Sequence, residues 1–417
     1  MTTLKKVLTW QDGAAFAVTA VMGTGILILP ALTADMAGPA ALIAWGLMGI
    51  LVVPMAWTLG DLAVLHPAAD GIAGYVRHAF GDRWARLVGY LYLGTVPLGA
   101  PAAALIGMGY VTRFFHWGAF WGILGALMML VVALTVNALG VELSGRTANG
   151  VVVAIMILVA SAIGFAIPHR AAHPYTPFAP HGWVPVGTAF ALLYWAFIGW
   201  EMVGHMAEEF HHPRRDLPKA LLASLVVIDC LYLGVAWVTV RTHTYGLMAT
   251  GDGLARLVGL GLGSVGALWA VLTALFITYG SIHTYVAGFS RLVYAQARAG
   301  DLPAYFAELH PRWRTPVRVF IALAIPFLGV LGWDALRPFS LNALISWPSA
   351  MFIALYILAM AAGWRLASRR TAKIRAASGL LLSLVALGFL GWAALFPLIV
   401  IVVGWRGHKN RLIVAES

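Results

Sequence analysis

Charged residues are scarce in this sequence. Only 10% of its 417 residues are Asp, Glu, Lys or Arg, and 61% are hydrophobic, whereas an ordinary soluble domain carries about 25% charged residues. There is too little charge to cover a water-exposed surface, and long apolar runs recur along the whole chain. A soluble globular fold is therefore excluded, and the sequence predicts an all-α membrane protein that crosses the bilayer many times.

Cysteine is almost absent as well. Cys230 is the single cysteine and lies in an apolar run, which excludes a disulfide framework and a cysteine-based metal site. His211 and His212 adjoin Pro213, a context that favours a solvated turn over metal binding. The run 261–266 has the spacing GxGxxG, but it follows no predicted strand, so nucleotide binding is not expected. We expect no metal and no organic cofactor.

Hydropathy divides the chain into twelve predicted spans of about 20 residues each. The spans are 12–34, 39–62, 85–112, 119–139, 147–167, 187–207, 220–241, 264–296, 316–332, 339–363, 376–391 and 392–406. The last two share one apolar run, so the sequence allows either a helical hairpin or one long helix there. Between the second and third spans, His66 to Trp84 has the spacing of a short amphipathic helix at the membrane surface.

The basic residues fall mainly on one side of these spans. With the N-terminus inside, 22 of the 27 Lys and Arg residues lie on the predicted inner side. The five outer ones are Arg113, Arg170, Arg241, Arg256 and Arg337. This asymmetry predicts a multi-pass protein of the cytoplasmic (inner) membrane with both termini in the cytoplasm. It also accounts for the net charge of +11 without a nucleic-acid partner, and none is expected.

The first span contains an unusual stretch, Met22 to Ile26, with the sequence MGTGI. Glycine and threonine are poor helix formers, and a helix that loosens at membrane depth exposes peptide groups that only protein or a polar ligand can satisfy. The stretch therefore predicts a ligand site halfway across the membrane. The alternative is that Gly23 and Gly25 only allow close helix packing, as small residues do in membranes.

A second stretch of this kind, Phe197 to Glu201 (FIGWE), lies in the sixth span. Five spans separate the starts of the two interrupted spans, so a second set of five would cross the membrane with the opposite orientation. The pattern indicates one transmembrane domain built from two inverted repeats, 12–167 and 187–363. Residues 376–406 would then form two additional helices.

Two acidic residues lie inside predicted spans. Glu201 has no Lys or Arg beside it, and a carboxylate in hydrocarbon costs about 2.5–3.5 kcal/mol on insertion scales. Such a group is a candidate for proton coupling or gating, and the alternative is a neutral acid that bridges helices. Asp229 lies near the middle of span seven. Coupling and a local helix–helix hydrogen bond are equally compatible with its position.

The interrupted spans resemble those of the amino acid/polyamine/organocation (APC) superfamily of transporters. The first stretch, followed by Leu29 and Pro30, is similar to their first-helix motif, and Trp195 to Glu201 is similar to their sixth-helix motif. Glu208 to Pro218 resembles their cytoplasmic signature, and Ser290 to Pro303 resembles the end of their helix eight. Within the superfamily, spans six and seven look most like the YjeH-type exporters of methionine and branched-chain amino acids.

The resemblance implies a LeuT-like fold of five plus five inverted helices with two additional C-terminal helices. It also implies a site for a zwitterion. The N–H groups of Thr24, Gly25 and Ile26 can hold a carboxylate at the start of a half-helix, and carbonyl groups of the second stretch can receive an ammonium group. The predicted substrate-binding residues are Met22, Gly23, Thr24, Gly25, Ile26, Trp195, Phe197, Ile198, Gly199, Trp200 and His283.

His283 is included because its offset before Gly288 matches a substrate-facing position in the superfamily. A buried histidine satisfied by its neighbours is the alternative. LeuT-like folds often carry a cation between helices one and eight, and Ser281 and Thr284 are the candidate ligands here. The lysine that replaces this cation in some proton-coupled members is absent from span five. The sequence therefore leaves the coupling gradient open between sodium and protons.

The sequence thus predicts a secondary transporter of amino acids that works by alternating access. Because Met22, Trp195, Ile198 and Trp200 are apolar or aromatic, we expect hydrophobic substrates such as methionine, leucine, isoleucine and valine, with residues near Thr95 to Gly99 completing the pocket. Export follows from the resemblance, and import or exchange is the alternative. The expected partners are a small amino acid and membrane lipid, in a monomer or a homodimer.

A membrane-embedded enzyme is the alternative from another class. It would need a catalytic pair at one depth in the membrane. Glu201 and His205, one helical turn apart, are the single candidate pair. Because the transporter interpretation accounts for more of the sequence, we predict no catalytic residues.

A passive channel would need a continuous polar stripe, and the spans are too apolar for one.

Overall fold

The protein is a bundle of apolar helices. The computed structural model describes residues 9–65, 71–140, 145–201, 210–246, 252–298, 300 and 302–402. In chain order the helices are α1 (Trp10–Val21), α2 (Gly25–Ala37), α3 (Ala41–Leu65), α4 (Ile72–Phe80), α5 (Asp82–Phe114), α6 (Ala119–Ala138), α7 (Gly145–Ala166), α8 (Val184–Leu192), α9 (Pro213–Thr242), α10 (Gly253–Arg298), α11 (Val317–Leu336), α12 (Leu341–Leu366), α13 (Arg370–Gly388) and α14 (Gly391–Val402).

Most of these helices are long and apolar enough to cross a membrane. Within the described residues, eight helical stretches meet that criterion, and shorter apolar helices occupy 153–166, 184–196 and 391–402. The predicted spans coincide with these helices, usually to within a few residues. The amphipathic helix predicted before the third span is present as α4, and it buries Ile72, Tyr75 and Val76. The prediction of an all-α membrane protein is therefore confirmed.

The first predicted span is broken where glycine interrupts it. The helix α1 begins at a capping box, in which the Thr9 hydroxyl accepts the Asp12 N–H and the Asp12 carboxylate accepts the Thr9 N–H. It ends at Val21, and α2 starts at Gly25 after three non-helical residues. One span is thus built from two half-helices, as the poor helix propensity of this stretch predicted.

The sixth predicted span is broken in the same way. The helix α8 continues as a 3₁₀ turn, Leu193–Ala196, and the chain is non-helical from Phe197 to Gly199 before helical geometry returns at Trp200. Gly199 has φ = 124°, a conformation that glycine adopts without steric cost. His205, the partner proposed for Glu201 in the enzyme alternative, lies outside the described residues, as does the 208–209 part of the cytoplasmic signature.

The helices pack in two groups on either side of these breaks. The first group consists of α1, α2, α3, α8 and α9, in which α9 packs along α1, α2 and α3, and α8 packs along α2 and α3. The second group consists of α5, α6, α10 and α11, in which α5 contacts the other three. The breaks belong to the first group and face the second.

Two elements depart from simple rods. The helix α10 is interrupted at Gly263 (φ 55°, ψ −137°), so its first ten residues form a separate segment before the predicted start of span eight. The described part of the run 376–406, which allowed one helix or two, contains two, because α13 ends at Gly388 and α14 starts at Gly391, whose φ is 55°. Arg375 of α13 forms an ion pair of 2.5 Å with Asp61 of α3.

Candidate functional site

A central cavity lies where the two breaks face the second helix group. The space that a water-sized molecule can occupy in it is about 60 Å³. Its walls come from the first break, α5, the second break, α10 and α12. The lining residues are Ala20, Val21, Gly23, Thr24, Thr95, Val96, Gly99, Ala100, Ala103, Trp195, Ile198, Ser281, Ile282, Tyr285 and Phe352. None of these described residues carries a charged side chain, so any ionic group of a ligand must be met by peptide groups and hydroxyls.

The two breaks touch each other through their backbones. A Cβ atom added to Gly25 would lie 2.6 Å from the Cα atom of Ala196. A Cβ atom added to Gly199 would collide with the carbonyl of Ala20. Each glycine thus admits the main chain of the other break, so the close packing considered as an alternative accompanies the breaks and does not replace them. The carbonyl ends of α1 and of the 3₁₀ turn are held side by side.

A side-chain hydrogen bond also joins the breaks at the cavity wall. The indole Nε1 of Trp195 donates to the Thr24 hydroxyl over 3.1 Å, and both residues line the cavity. Gly99 of α5 leaves room for the indole, because a Cβ atom there would lie 3.3 Å from the Trp195 ring. Trp195 therefore connects the first break to the opposite wall.

Tyr232 of α9 is a site residue that the sequence analysis missed. Its fully buried hydroxyl lies 3.2 Å from the Val21 carbonyl oxygen and 2.9 Å from the Ala196 carbonyl oxygen, so it bridges the C-terminal ends of both half-helices. The ring packs edge-on against Phe197, with 4.9 Å between centroids. A tyrosine in a buried span must find a hydrogen-bond partner, and that requirement was the available signal.

Glu201 lies directly behind the second break and is 2% exposed. Its Oε2 atom accepts the backbone N–H of Gly199 over 3.0 Å and the hydroxyl of Tyr356 of α12 over 2.5 Å. The carboxylate thus closes the turn of the second break and ties it to a helix outside the first group. In the described structure, these two hydrogen bonds connect Glu201 to the second break and to α12.

Asp229 lies away from the cavity, between α9 and α3. A Cβ atom added to Gly49 would lie 3.5 Å from the Asp229 Oδ1 atom. Among the described residues, Oδ1 is buried and accepts no hydrogen bond. The helix–helix hydrogen bond considered from the sequence is therefore not seen at this oxygen.

The structure places His283 and Thr284 outside the cavity lining. The side-chain amide of Asn137 on α6 lies 3.0 Å from Nδ1 of His283 and 3.3 Å from its carbonyl oxygen, which matches the reading of a buried histidine satisfied by its neighbours. The Thr284 hydroxyl donates to the Gly280 carbonyl on an exposed face of α10. Ser281, by contrast, lines the cavity and contacts the first break, 3.4 Å from a Cβ atom added to Gly23.

The remaining predicted binding residues surround the cavity without lining it. Met22, Ile26, Phe197 and Trp200 are at most 2% exposed. Their side chains therefore pack in the protein interior and do not line the cavity. Thr95 and Gly99, the part of span three that was expected to complete the pocket, are in the wall.

Two broken helices that face a charge-free cavity in a membrane-spanning bundle define the site of a membrane transporter, where interrupted helices supply peptide groups to a substrate. Comparison with known proteins agrees with this class. Residues 8–413 match the family model "Amino acid permease". The chain belongs to the amino acid permease family of the APC superfamily, which consists of transporters and not enzymes.

Two relatives cover nearly the whole chain. The uncharacterized amino acid permease YecA of Bacillus subtilis is 39% identical over 98% of both chains. The L-methionine/branched-chain amino acid exporter YjeH of Escherichia coli is 32% identical over 97% of this chain and 96% of its own. A more distant relative, the serine/threonine exchanger SteT of Bacillus subtilis, is 24% identical over 84% of this chain and 83% of its own. The family thus includes proteins named as exporters and as exchangers.

Proposed function

We propose that this protein exports hydrophobic amino acids across the cytoplasmic membrane by alternating access, driven by a proton gradient. The observation that carries the proposal is the cavity in which peptide groups of two breaks meet without any charged side chain in the described lining. A zwitterion needs one site for a carboxylate and one for an ammonium group. The start of α2 offers N–H groups, and the ends of α1 and of the 3₁₀ turn offer carbonyl groups.

The side-chain part of the cavity supports neutral, apolar substrates. Val96, Ala100, Ala103, Ile282 and Phe352 supply an apolar wall. A charged side chain would enter this space without a partner, and that costs several kcal/mol. The 32% identity to a methionine and branched-chain amino acid exporter over nearly the whole chain supports methionine, leucine, isoleucine and valine as the substrates and export as the direction.

The wider architecture that we propose follows from the same reasoning. Each helix group takes helices from both halves of the chain, as expected for two interleaved inverted repeats, 12–167 and 187–363, with α13 and α14 as additions, in the LeuT-like arrangement. The basic residues favour cytoplasmic termini. Ser281 is the described hydroxyl of α10 that stands beside the first break, so a cation site there is the competing account of coupling, and Thr284 points away from it.

Counterflow in proteoliposomes tests the proposed transport. Vesicles loaded with unlabelled leucine should accumulate external labelled leucine or methionine transiently, and arginine or glutamate inside should not support this. The absence of counterflow with all neutral amino acids would refute the proposal. Direction is tested in cells fed methionine-containing dipeptides, where export lowers the intracellular methionine pool. An exchanger would show counterflow but no net efflux into amino acid-free buffer.

A further inference from the structure

Asp229 is a carboxylic acid in the middle of a membrane-spanning helix. It is residue 17 of the 30 in α9, counted from Pro213 to Thr242. With a rise of about 1.5 Å per residue, roughly 20 Å of helix lies on either side of it. The nearest water at the helix ends is therefore distant, and the group occupies the depth at which an ionised side chain is most costly.

The carboxyl group rests on a glycine of the neighbouring helix. All three of its terminal atoms lie 3.5–3.7 Å from the point where a Cβ atom on Gly49 would be. The adjacent faces of α3 and α9 turn away from the protein, with Ile50 67% and Val226 55% exposed. Asp229 thus sits at the edge of a seam between two apolar faces, and glycine provides the space for its carboxyl group.

Nothing in the described structure stabilises a negative charge at this position. The Oδ1 atom is buried without a hydrogen-bond donor, and no ion pair reaches the residue. The other acids on the helices that pack against α9 stand near helix ends. These are Asp12 of α1, Asp35 of α2 and Asp61 of α3. The described side chains of α7 include no acid or base.

Tyr232 is the titratable neighbour on α9 itself, one turn along the helix. Because the Tyr232 hydroxyl bridges the carbonyl ends of both breaks, Asp229 is one helical turn from the residue that joins the substrate-binding segments. A change in the charge of Asp229 would therefore occur one helical turn from the substrate-binding segments.

Glu201, the other acid at this depth, has a different environment at one of its two oxygens. Its Oε2 atom accepts two hydrogen bonds, one from a backbone N–H and one from a phenol. Donors of this kind satisfy a carboxylate and hold it in one place. Of the two mid-depth acids, Glu201 accepts two hydrogen bonds at Oε2, whereas Asp229 is partly exposed between two apolar helix faces.

We propose that Asp229 is the proton-binding site of this transporter, and that Glu201 is a positioning residue that fixes the second break. The inference rests on the proposed proton-driven transport. The Asp229 carboxylate takes up one proton and becomes a neutral acid that can lie against Gly49, and it releases that proton when the seam admits water. The step is a proton transfer between water and the carboxylate, and no oxidation or reduction accompanies it.

Replacing Asp229 by asparagine separates proton coupling from substrate movement. In proteoliposomes, D229N should keep leucine counterflow within about twofold of the unmodified protein, because exchange needs no net proton movement. Accumulation of leucine driven by an imposed pH gradient should fall by about tenfold or more, since a permanently neutral group carries no proton. E201Q should lower counterflow and driven accumulation in the same proportion, as expected of a positioning residue, and D82N, which neutralises an exposed acid at the start of α5, is the matched control that should retain both.

Gly49 provides a second, independent test. A serine there places its hydroxyl within reach of Oδ1, because the Cβ atom would already be 3.5 Å away. This donor stabilises the ionised carboxylate, so the pH of half-maximal coupled transport should move down by about one unit. G49A adds the same Cβ atom without a donor, at an ordinary contact distance, and should leave that pH unchanged.

The outcomes distinguish the two levels of the proposal. If the unmodified protein shows no counterflow, the transport function itself fails and the inference falls with it. If counterflow is present but D229N still accumulates leucine against a pH gradient, transport stands and the role of Asp229 is refuted. Equal shifts in G49S and G49A would also overturn it, because a steric effect would then explain both.

Discussion

Removing the hydroxyl of Tyr232 should weaken substrate binding more than it weakens the fold. Tyr232→Phe keeps the ring against Phe197 and removes a single buried oxygen. That oxygen bridges the Val21 and Ala196 carbonyls. The Val21 carbonyl retains a second donor, the Gly23 N–H at 2.8 Å, so the main loss falls on Ala196, at the end of the 3₁₀ turn that carries Trp195.

The size of the effect follows from the hydrogen bonds. Bonds between membrane helices average about 0.6 kcal/mol and reach about 1.7, whereas a buried group left without a partner costs about 1–3 kcal/mol. We expect a loss of about 1–2 kcal/mol, which corresponds to a fivefold to thirtyfold change in an equilibrium constant. If the hydroxyl positions the ammonium-binding carbonyls, this loss appears in substrate affinity.

The assay compares methionine with its analogue that lacks the α-ammonium group. Inhibition of leucine counterflow by each compound gives two apparent affinities, and their ratio should shrink in Tyr232→Phe because the affected carbonyls serve the ammonium group. Tyr194→Phe is the matched control, since Tyr194 is also buried but donates to Ser383 of α13 over 2.8 Å, away from the cavity. An unchanged ratio in Tyr232→Phe, with thermal stability lowered equally in both variants, would refute the reasoning.

Further substitutions test the contacts between the breaks and the shape of the cavity. Gly199→Ala should abolish transport and lower the thermal stability of the purified protein, because its Cβ atom would meet the Ala20 carbonyl at a φ that alanine avoids; normal counterflow would contradict this. Trp195→Phe removes the hydrogen bond to Thr24 and should raise the half-saturating leucine concentration by about fivefold, with unchanged maximal flux. Ala103→Leu narrows the cavity and should exclude leucine before alanine in competition assays, and equal loss of both would argue against a size limit.

Much of the fold could be predicted because the bilayer imposes strict requirements. A span must be apolar for about 20 residues, and this restricted the helix positions closely. The breaks were predictable for the same reason, since Gly23, Gly25 and Gly199 are conspicuous in runs that otherwise favour helix. Sequence alone did not decide whether 376–406 is one helix or two, because hydropathy does not report the backbone conformation of Gly391 (φ 55°).

The site was predictable where it depends on the backbone and less so where it depends on partners across the fold. Thr24, Trp195 and Ile198 were expected and line the cavity. His283 was expected there, but its ring contacts Asn137. The sequence could not show this, because Asn137 is 146 residues away in the chain. Tyr232 was overlooked, since nothing local to α9 indicates that its hydroxyl meets two helix ends.

Gly25 and Gly199 each pack against the main chain of the other break. This packing has a consequence for how substrate specificity can change. In the proposed function, main-chain atoms of the two breaks bind the amino acid head group, and these atoms are the same whatever side chains surround them. The walls contributed by Val96 and Ala103 of α5 and by Phe352 of α12 are ordinary side chains. Substitutions of these wall residues can therefore change substrate selectivity while binding of the amino acid head group is retained. Laboratory evolution toward new substrates should concentrate its substitutions at these positions.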